Sequence, residues 1–154
     1  MTVKVGDAAP DFELTNHLGE RVRLSNFRDR KHVVIAFHPL AFTPVCQVQV
    51  SNYEKDRDKL SGLDAHVVII SNDSVPCKAA WAESMGGVSW DLLSDFHPNG
   101  DVARKYGVFR HDGISERALF VVDKDGRIVY AHVHAIPEQP DNQVVLDVLK
   151  RLDR

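Results

Sequence analysis

The sequence predicts an α/β protein in which helices cover both faces of a mixed central β-sheet. Two β-rich apolar runs, at 32–38 and 65–71, have the composition of buried central strands. The polar segment between them, with scattered apolar positions, predicts a helix over 45–60, so the two strands should be parallel neighbours. Two further β-rich runs, at 118–122 and 128–132, are joined through an Asp-Gly turn, which predicts an antiparallel hairpin.

The remaining elements complete this arrangement. A short N-terminal hairpin is predicted from the runs 12–14 and 21–24 around a polar turn. Helix-start residues and apolar spacing predict three more helices, at 77–85, at 101–106 and from Pro140 onward. This order of elements is that of a thioredoxin-like fold. Because no linker-like segment divides the chain, we expect residues 1–154 to form a single thioredoxin-like domain.

Composition excludes several classes of protein. The 154 residues are 44% hydrophobic and 27% charged, with a net charge of −3, which argues against a nucleic-acid-binding protein. The longest apolar run, 33–37, is too short to cross a membrane. The N-terminus shows no apolar segment behind a basic start, so no signal peptide is predicted and we expect a cytoplasmic protein.

The two cysteines, Cys46 and Cys77, are too few for a disulfide framework and do not form a C-x-x-C motif. Cys46 falls in the first turn of a predicted helix, where free backbone N–H groups and the helix dipole favour a thiolate. The Thr43 hydroxyl can donate to the sulfur or accept from a bound hydroxyl. Pro39 and Pro44 stiffen the loop and should screen the sulfur from water. Position alone also allows an inert, buried Cys46.

The pattern Pro39-x-x-x-Thr43-x-x-Cys46 after an apolar strand resembles the active-site signature of the peroxiredoxins, a family of thiol peroxidases. Three more segments resemble family features in the same order, at 5–12, 71–74 and 117–123. The resemblance spans nearly the whole chain. The stretches 39–43 and 93–100 are most similar to the AhpE-like branch, near the bacterioferritin-comigratory-protein (PrxQ) group.

The resemblance implies a mechanism for reducing hydrogen peroxide and organic hydroperoxides. The Cys46 thiolate would attack the terminal peroxide oxygen and become a sulfenic acid. Thr43 would position the peroxide, and Arg117 would hold the thiolate and polarise the O–O bond. Arg117 could instead form a surface salt bridge. Gln49 stands where the family often has a glutamate that orients the arginine. The resemblance also implies a homodimer and no cofactor.

Two roles remain open for Cys77. It lies at a predicted helix start on the same sheet edge as Cys46, and this position should make it more acidic than a core thiol. It could resolve the sulfenic acid by forming a disulfide with Cys46. Otherwise it is a packed side chain, and an external thiol does the reduction: thioredoxin, mycoredoxin, glutaredoxin or a low-molecular-weight thiol.

The histidines predict no metal site. His132 and His134 should share one face of a strand and could chelate an ion, but no third ligand follows at a typical spacing. His38 precedes Pro39, where the family usually has an aromatic residue, and is expected to pack or lie at the surface. Two other functions stay open: a disulfide reductase, disfavoured by the missing C-x-x-C, and a redox-responsive binding protein or holdase chaperone.

Overall fold

A seven-stranded sheet forms the centre of the protein in the computed structural model, which describes residues 2–152. The strands are β1 (Glu13–Asn16), β2 (Arg21–Arg23), β3 (His32–Phe37), β4 (Ala65–Ser71), β5 (Asp91–Ser94), β6 (Arg117–Val122) and β7 (Ile128–His134). The α-helices are α1 (Pro44–Lys55), α2 (Arg57–Gly62), α3 (Val75–Ser84), α4 (Asp101–Lys105) and α5 (Asn142–Leu152). A 3-10 turn, Leu24–Phe27, follows β2.

The strand order across the sheet is β2-β1-β5-β4-β3-β6-β7. Strands β3, β4 and β5 are parallel, and the pairs that flank them are antiparallel. The predicted mixed sheet, its N-terminal hairpin and the thioredoxin-like fold are therefore confirmed. Parallel β3 and β4 bring the starts of α1 and α3 to one sheet edge, where open α/β folds place their ligands.

Strand alternation divides the core into two layers. Val34 and Ala36 of β3 face a core that includes residues of α1, α3 and α5. Val33, Ile35 and Phe37 face the other side, where the N-terminal hairpin and α4 pack. All six residues of β3 are buried. Burying one large apolar side chain contributes about 1.5–3 kcal/mol, so this strand anchors the segment that leads into α1.

Two parts of the fold differ from the sequence prediction. Strand β5 is absent from that prediction, and it joins the N-terminal hairpin to the parallel strands. The prediction of a single helix over 45–60 is wrong because the helix is interrupted at Asp56. The φ and ψ of this residue, −93° and 12°, end α1 before α2 begins. The Asp56 carboxylate accepts a hydrogen bond from Asn142 at 3.0 Å, so a contact with α5 holds the break.

Among the helices of residues 2–152, none combines the length and the apolar character needed to cross a bilayer.

Candidate active site

Cys46 lies in the first turn of α1, as the sequence predicts. Thr43 is the N-cap, in extended conformation, and Pro44 is the first helical residue, where its missing N–H costs no helix hydrogen bond. The Cys46 side chain is fully buried and packs in the core layer beside Val50 and Tyr53. The helix N-terminus therefore places a thiol where backbone N–H groups are free and water is excluded.

Arg117 reaches the Cys46 sulfur from β6. Strands β6 and β3 are antiparallel and pair Ala118 with Phe37, so the start of β6 lies beside the end of β3 and the start of α1. Both terminal guanidinium nitrogens, Nη1 and Nη2, donate to Sγ of Cys46 at 3.3 Å. Arg117 is only 2% exposed, which excludes the surface salt bridge considered as its alternative. A buried guanidinium this close places a positive charge and two N–H donors at the sulfur.

Gln49 and a backbone carbonyl fix the orientation of Arg117. Nη1 also donates to Oε1 of Gln49 at 3.0 Å, and Nε donates to the carbonyl of Ile136 at 2.9 Å. The Gln49 amide donates in turn to the Tyr53 hydroxyl at 3.4 Å. Burial raises the pKa of Tyr53 to about 12, so this hydroxyl stays protonated. Gln49 thus supplies a neutral acceptor to the arginine, one turn after Cys46.

Thr43 uses its hydroxyl hydrogen within the loop. Oγ1 donates to the carbonyl of Leu40 at 2.7 Å, so the expected donation to the Cys46 sulfur does not occur here. The oxygen lone pairs remain available to accept from a bound hydroxyl. The chain turns at Phe42, whose φ of +64° is unusual for a bulky residue. Such conformations persist where surrounding contacts impose them, and they are common at functional sites.

Asp73 and Ser115, which sequence reasoning did not single out, hold this loop in place. Oδ2 of Asp73 accepts from the Ala41 N–H at 2.8 Å and from the Ser71 hydroxyl at 2.6 Å. The Ser115 hydroxyl donates to the His38 carbonyl at 2.8 Å. Pro39, between these anchors, is buried. Asp73 belongs to the segment 71–74, which the sequence marked only by its resemblance to a turn of the family.

A buried Lys78–His38 pair is a second feature that the sequence did not reveal. Nζ of Lys78 lies 2.7 Å from Nε2 of His38, and both side chains are almost completely buried. Burial lowers the pKa of Lys78 to about 7, against the opposing effects of Asp73 and Cys46. Burial, helped by the charges of Lys78 and Arg117, holds the pKa of His38 well below its usual range. His38 therefore remains a neutral acceptor at physiological pH.

Cys77 lies in the first turn of α3, whose N-cap Ser74 accepts a hydrogen bond from the Cys77 N–H at 3.3 Å. The Cys77 side chain is partly buried and packs against the core layer that contains Cys46. Both thiols are free. Two neighbouring effects oppose the acidity that the helix start should give Cys77. Burial raises its pKa, and so does the carboxylate of Asp73, to which Sγ donates at 3.7 Å.

A third potential ligand does lie beside His132 and His134. Glu138, on the loop after β7, places Oε2 2.9 Å from Nδ1 of His134. One ligand atom from each of the three residues lies within 4.8 Å of the others. The expectation that no third ligand accompanies the histidine pair is therefore wrong. The sequence could not indicate this contact, because it forms only when the loop after β7 folds back on the strand.

Comparisons with known proteins agree on one family. The model of the AhpC/TSA family matches residues 5–131. Alkyl hydroperoxide reductase E of Mycobacterium tuberculosis is 36% identical over 151 residues, covering 97% of this chain and 98% of that protein. A chloroplastic 2-cysteine peroxiredoxin of Chattonella marina is 32% identical, and the match covers 87% of this chain and 72% of that protein. The structure of peroxidoxin BcpB from M. tuberculosis matches with a TM-score of 0.85 and 30% identity, covering 97% of each chain.

Proposed function

Because this chain belongs to the AhpC/TSA family and is a thiol peroxidase of the peroxiredoxin type, we propose that Cys46 is its peroxide-reducing residue. The supporting observation is the pair of 3.3 Å contacts from Arg117 to the buried sulfur. These contacts stabilise the thiolate, which is the nucleophilic form of a cysteine.

The proposed reaction transfers one oxygen atom to sulfur. The Cys46 thiolate attacks the terminal oxygen of a hydroperoxide, an S–O bond forms, and the O–O bond breaks. The leaving oxygen takes the electron pair and a proton, giving water from hydrogen peroxide or an alcohol from an organic hydroperoxide. Arg117 stabilises the negative charge that moves from sulfur to the leaving oxygen. Thr43 accepts a hydrogen bond from the peroxide through the lone pairs that Leu40 leaves free.

Single-turnover kinetics test this assignment. Wild type and Cys46→Ser are mixed with one equivalent of hydrogen peroxide, and peroxide consumption is followed. Cys46→Ser should consume no peroxide above buffer, whereas Cys77→Ser should match wild type in the first turnover. Arg117→Lys keeps a charge but loses the two-pronged contact, and we expect it to slow the reaction about 100-fold or more. Consumption by Cys46→Ser at the wild-type rate would falsify the assignment.

The sulfenic acid requires a thiol reductant, and we propose Cys77 as the first candidate. Its packing against the core layer of Cys46 supports this role. Its raised pKa opposes it, since attack requires the thiolate. In this step the Cys77 thiol gives up its proton and its sulfur bonds to the Cys46 sulfur. The S–O bond of the sulfenic acid breaks, and the leaving hydroxide takes that proton to become water. Mass spectrometry of the non-reduced protein after one equivalent of peroxide should show the Cys46–Cys77 disulfide. Accumulation of oxidised Cys46 with free Cys77 would instead mean that an external thiol reduces the enzyme.

Thioredoxin, mycoredoxin, glutaredoxin and a low-molecular-weight thiol remain the proposed external reductants. Steady-state assays with each one, on wild type and Cys77→Ser, distinguish them. A reductant that turns over both proteins equally acts directly on Cys46. One that works only on wild type acts on the disulfide.

We also propose a homodimer that works in the cytoplasm. The side chains of Leu40 and Phe42, on the loop before α1, are 40% and 53% exposed, and a partner surface would cover them. A reducing compartment suits two free thiols. Sedimentation equilibrium should give twice the chain mass, and Phe42→Asp should shift it toward the monomer. Cell fractionation tests the compartment.

A further inference from the structure

A cluster of three side chains at the end of β7 offers the ligand set of a transition-metal site. β7 is an edge strand of the sheet, and the His132 and His134 rings lie 4.4 Å apart between centroids, nearly perpendicular at 79°. Glu138 contacts His134 through Oε2, and its other carboxylate oxygen accepts from the Ala135 N–H at 3.3 Å. Two imidazoles and a carboxylate are the donors that Zn²⁺ and similar divalent ions prefer.

His134 is the buried member of this cluster. Its side chain is 8% exposed, and its Nε2 atom has no hydrogen-bond partner among residues 2–152. Leaving a buried polar atom unpaired costs about 1–3 kcal/mol. The other ring nitrogen, Nδ1, is held by the Glu138 carboxylate. An ion that replaces the proton between Nδ1 and Oε2 would be bound by His134 and Glu138 together, and His132 would supply the third ligand.

The three ligand atoms need to move only a short distance to bind an ion. Ligand atoms bound to tetrahedral zinc lie about 3.4 Å apart, given bonds of about 2.1 Å. The present atoms already lie within 4.8 Å of one another. His132 and Glu138 are exposed, so their side chains can rotate without disturbing the core.

We propose that His132, His134 and Glu138 bind a divalent transition-metal ion of the zinc class and that this ion clamps the loop that follows β7. The loop matters because the Ile136 carbonyl, between the ligands His134 and Glu138, accepts the Nε hydrogen bond of Arg117. Arg117 and His134 are also direct partners in the β6–β7 pairing. An ion bound at both ends of this loop fixes the carbonyl that orients the active-site arginine.

Calorimetric titration with Zn²⁺ tests binding. The full-length protein with Cys46→Ser and Cys77→Ser serves as the parent, because free thiolates also bind zinc. We expect one site in the parent, with affinity at least 10-fold weaker in His132→Gln and in Glu138→Gln. His111→Gln, which removes an exposed histidine from another loop, should match the parent. No binding by the parent, or equal binding by His132→Gln, would overturn the proposal.

Hydrogen exchange tests the clamp. Saturating Zn²⁺ should slow amide exchange at 135–138 in the parent, where the Glu138 N–H bonds to the Ala135 carbonyl. A Zn²⁺ concentration that occupies the parent but lies well below the Kd of His132→Gln should leave this segment unchanged in that variant. Equal exchange rates with and without Zn²⁺ in a parent that binds the ion would show that the loop is not clamped. Because neither measurement uses peroxide, the outcome is independent of the peroxidase assignment.

Discussion

The Arg117 side chain forms its hydrogen bonds with groups that lie far from it in the sequence. Nη1 and Nη2 reach Cys46, Nη1 also reaches Gln49, and Nε reaches the Ile136 carbonyl. A planar guanidinium with fixed N–H directions can satisfy these partners together, whereas a lysine ammonium cannot. In the proposed mechanism, the reactivity of the sulfur depends on the residues that hold the arginine as well as on the arginine itself.

Replacing Gln49 tests this dependence. Gln49→Ala removes the neutral acceptor of Nη1, and hydrogen bonds to charged groups contribute about 1.5–3 kcal/mol. We expect Cys46 oxidation by hydrogen peroxide to slow about 10-fold or more. Gln49→Glu keeps an accepting oxygen and should stay closer to wild type. Gln47→Ala changes an exposed residue of the same helix and serves as the control. An unchanged rate in Gln49→Ala would show that Ile136 and the sulfur suffice to hold Arg117.

Helix-start position pointed to Cys46, and the resemblance to a known family pointed to Thr43 and Arg117. Both kinds of signal lie in short, local segments of the chain. Sequence reasoning did not locate Lys78, since a lysine in a helix with mixed polarity gives no sign that it is fully buried. Nor could it place Glu138 against His134, because that contact depends on how the loop after β7 turns.

The elements show the same division between local and tertiary information. Long apolar strands such as β3 and β4 are predictable because their apolar composition already indicates that they are buried. Strand β5 has only four residues and no polar–apolar alternation, and it forms because β4 and β1 pair with it on both sides. Helix breaks such as that at Asp56 depend on partners elsewhere in the chain, here Asn142.

Helix α4 depends on a residue outside it. Asp95, which follows β5 and is 2% exposed, accepts from the backbone N–H groups of Val102 and Ala103 at 3.0 Å each. Asp95→Ala leaves both buried N–H groups without this acceptor, so we expect the free energy of unfolding to fall by about 2–4 kcal/mol. Urea denaturation followed by circular dichroism measures the change.

The matched control is Asp101→Ala in the same helix. Its carboxylate makes only a half-exposed ion pair with Lys105 at 3.5 Å, so its loss should cost less than about 1 kcal/mol. Equal losses in the two variants would contradict the specific role of Asp95.

At the scale of the whole molecule, one edge of the sheet collects the starts of α1, α3 and β6. That convergence buries two basic side chains, Arg117 and Lys78, near the same sulfur. Arg117 has polar partners for its charge, whereas Lys78 bonds to the neutral imidazole of His38. The protein therefore carries a buried group whose protonation opposes folding.

This burial predicts that global stability rises with pH. The folded-state pKa of Lys78, about 7, lies below its ordinary value of 10.5, so the unfolded chain binds more protons between these limits. His38 acts in the same direction below pH 6.5. From pH 7 to pH 9, the free energy of unfolding of wild type should therefore rise by about 2 kcal/mol relative to that of Lys78→Met/His38→Phe.

Urea denaturation of both proteins at pH 6, 7, 8 and 9 measures this difference, and comparing them cancels the titration of groups that they share. The apolar pair should be the more stable protein at pH 6, because it buries no cation, and its advantage should shrink as the pH rises. Lys150→Met removes an exposed lysine and should keep a constant offset from wild type. If the free energy of unfolding of the double variant also differs from that of wild type by the same amount at every pH, Lys78 keeps an ordinary proton affinity in the folded protein, despite its burial.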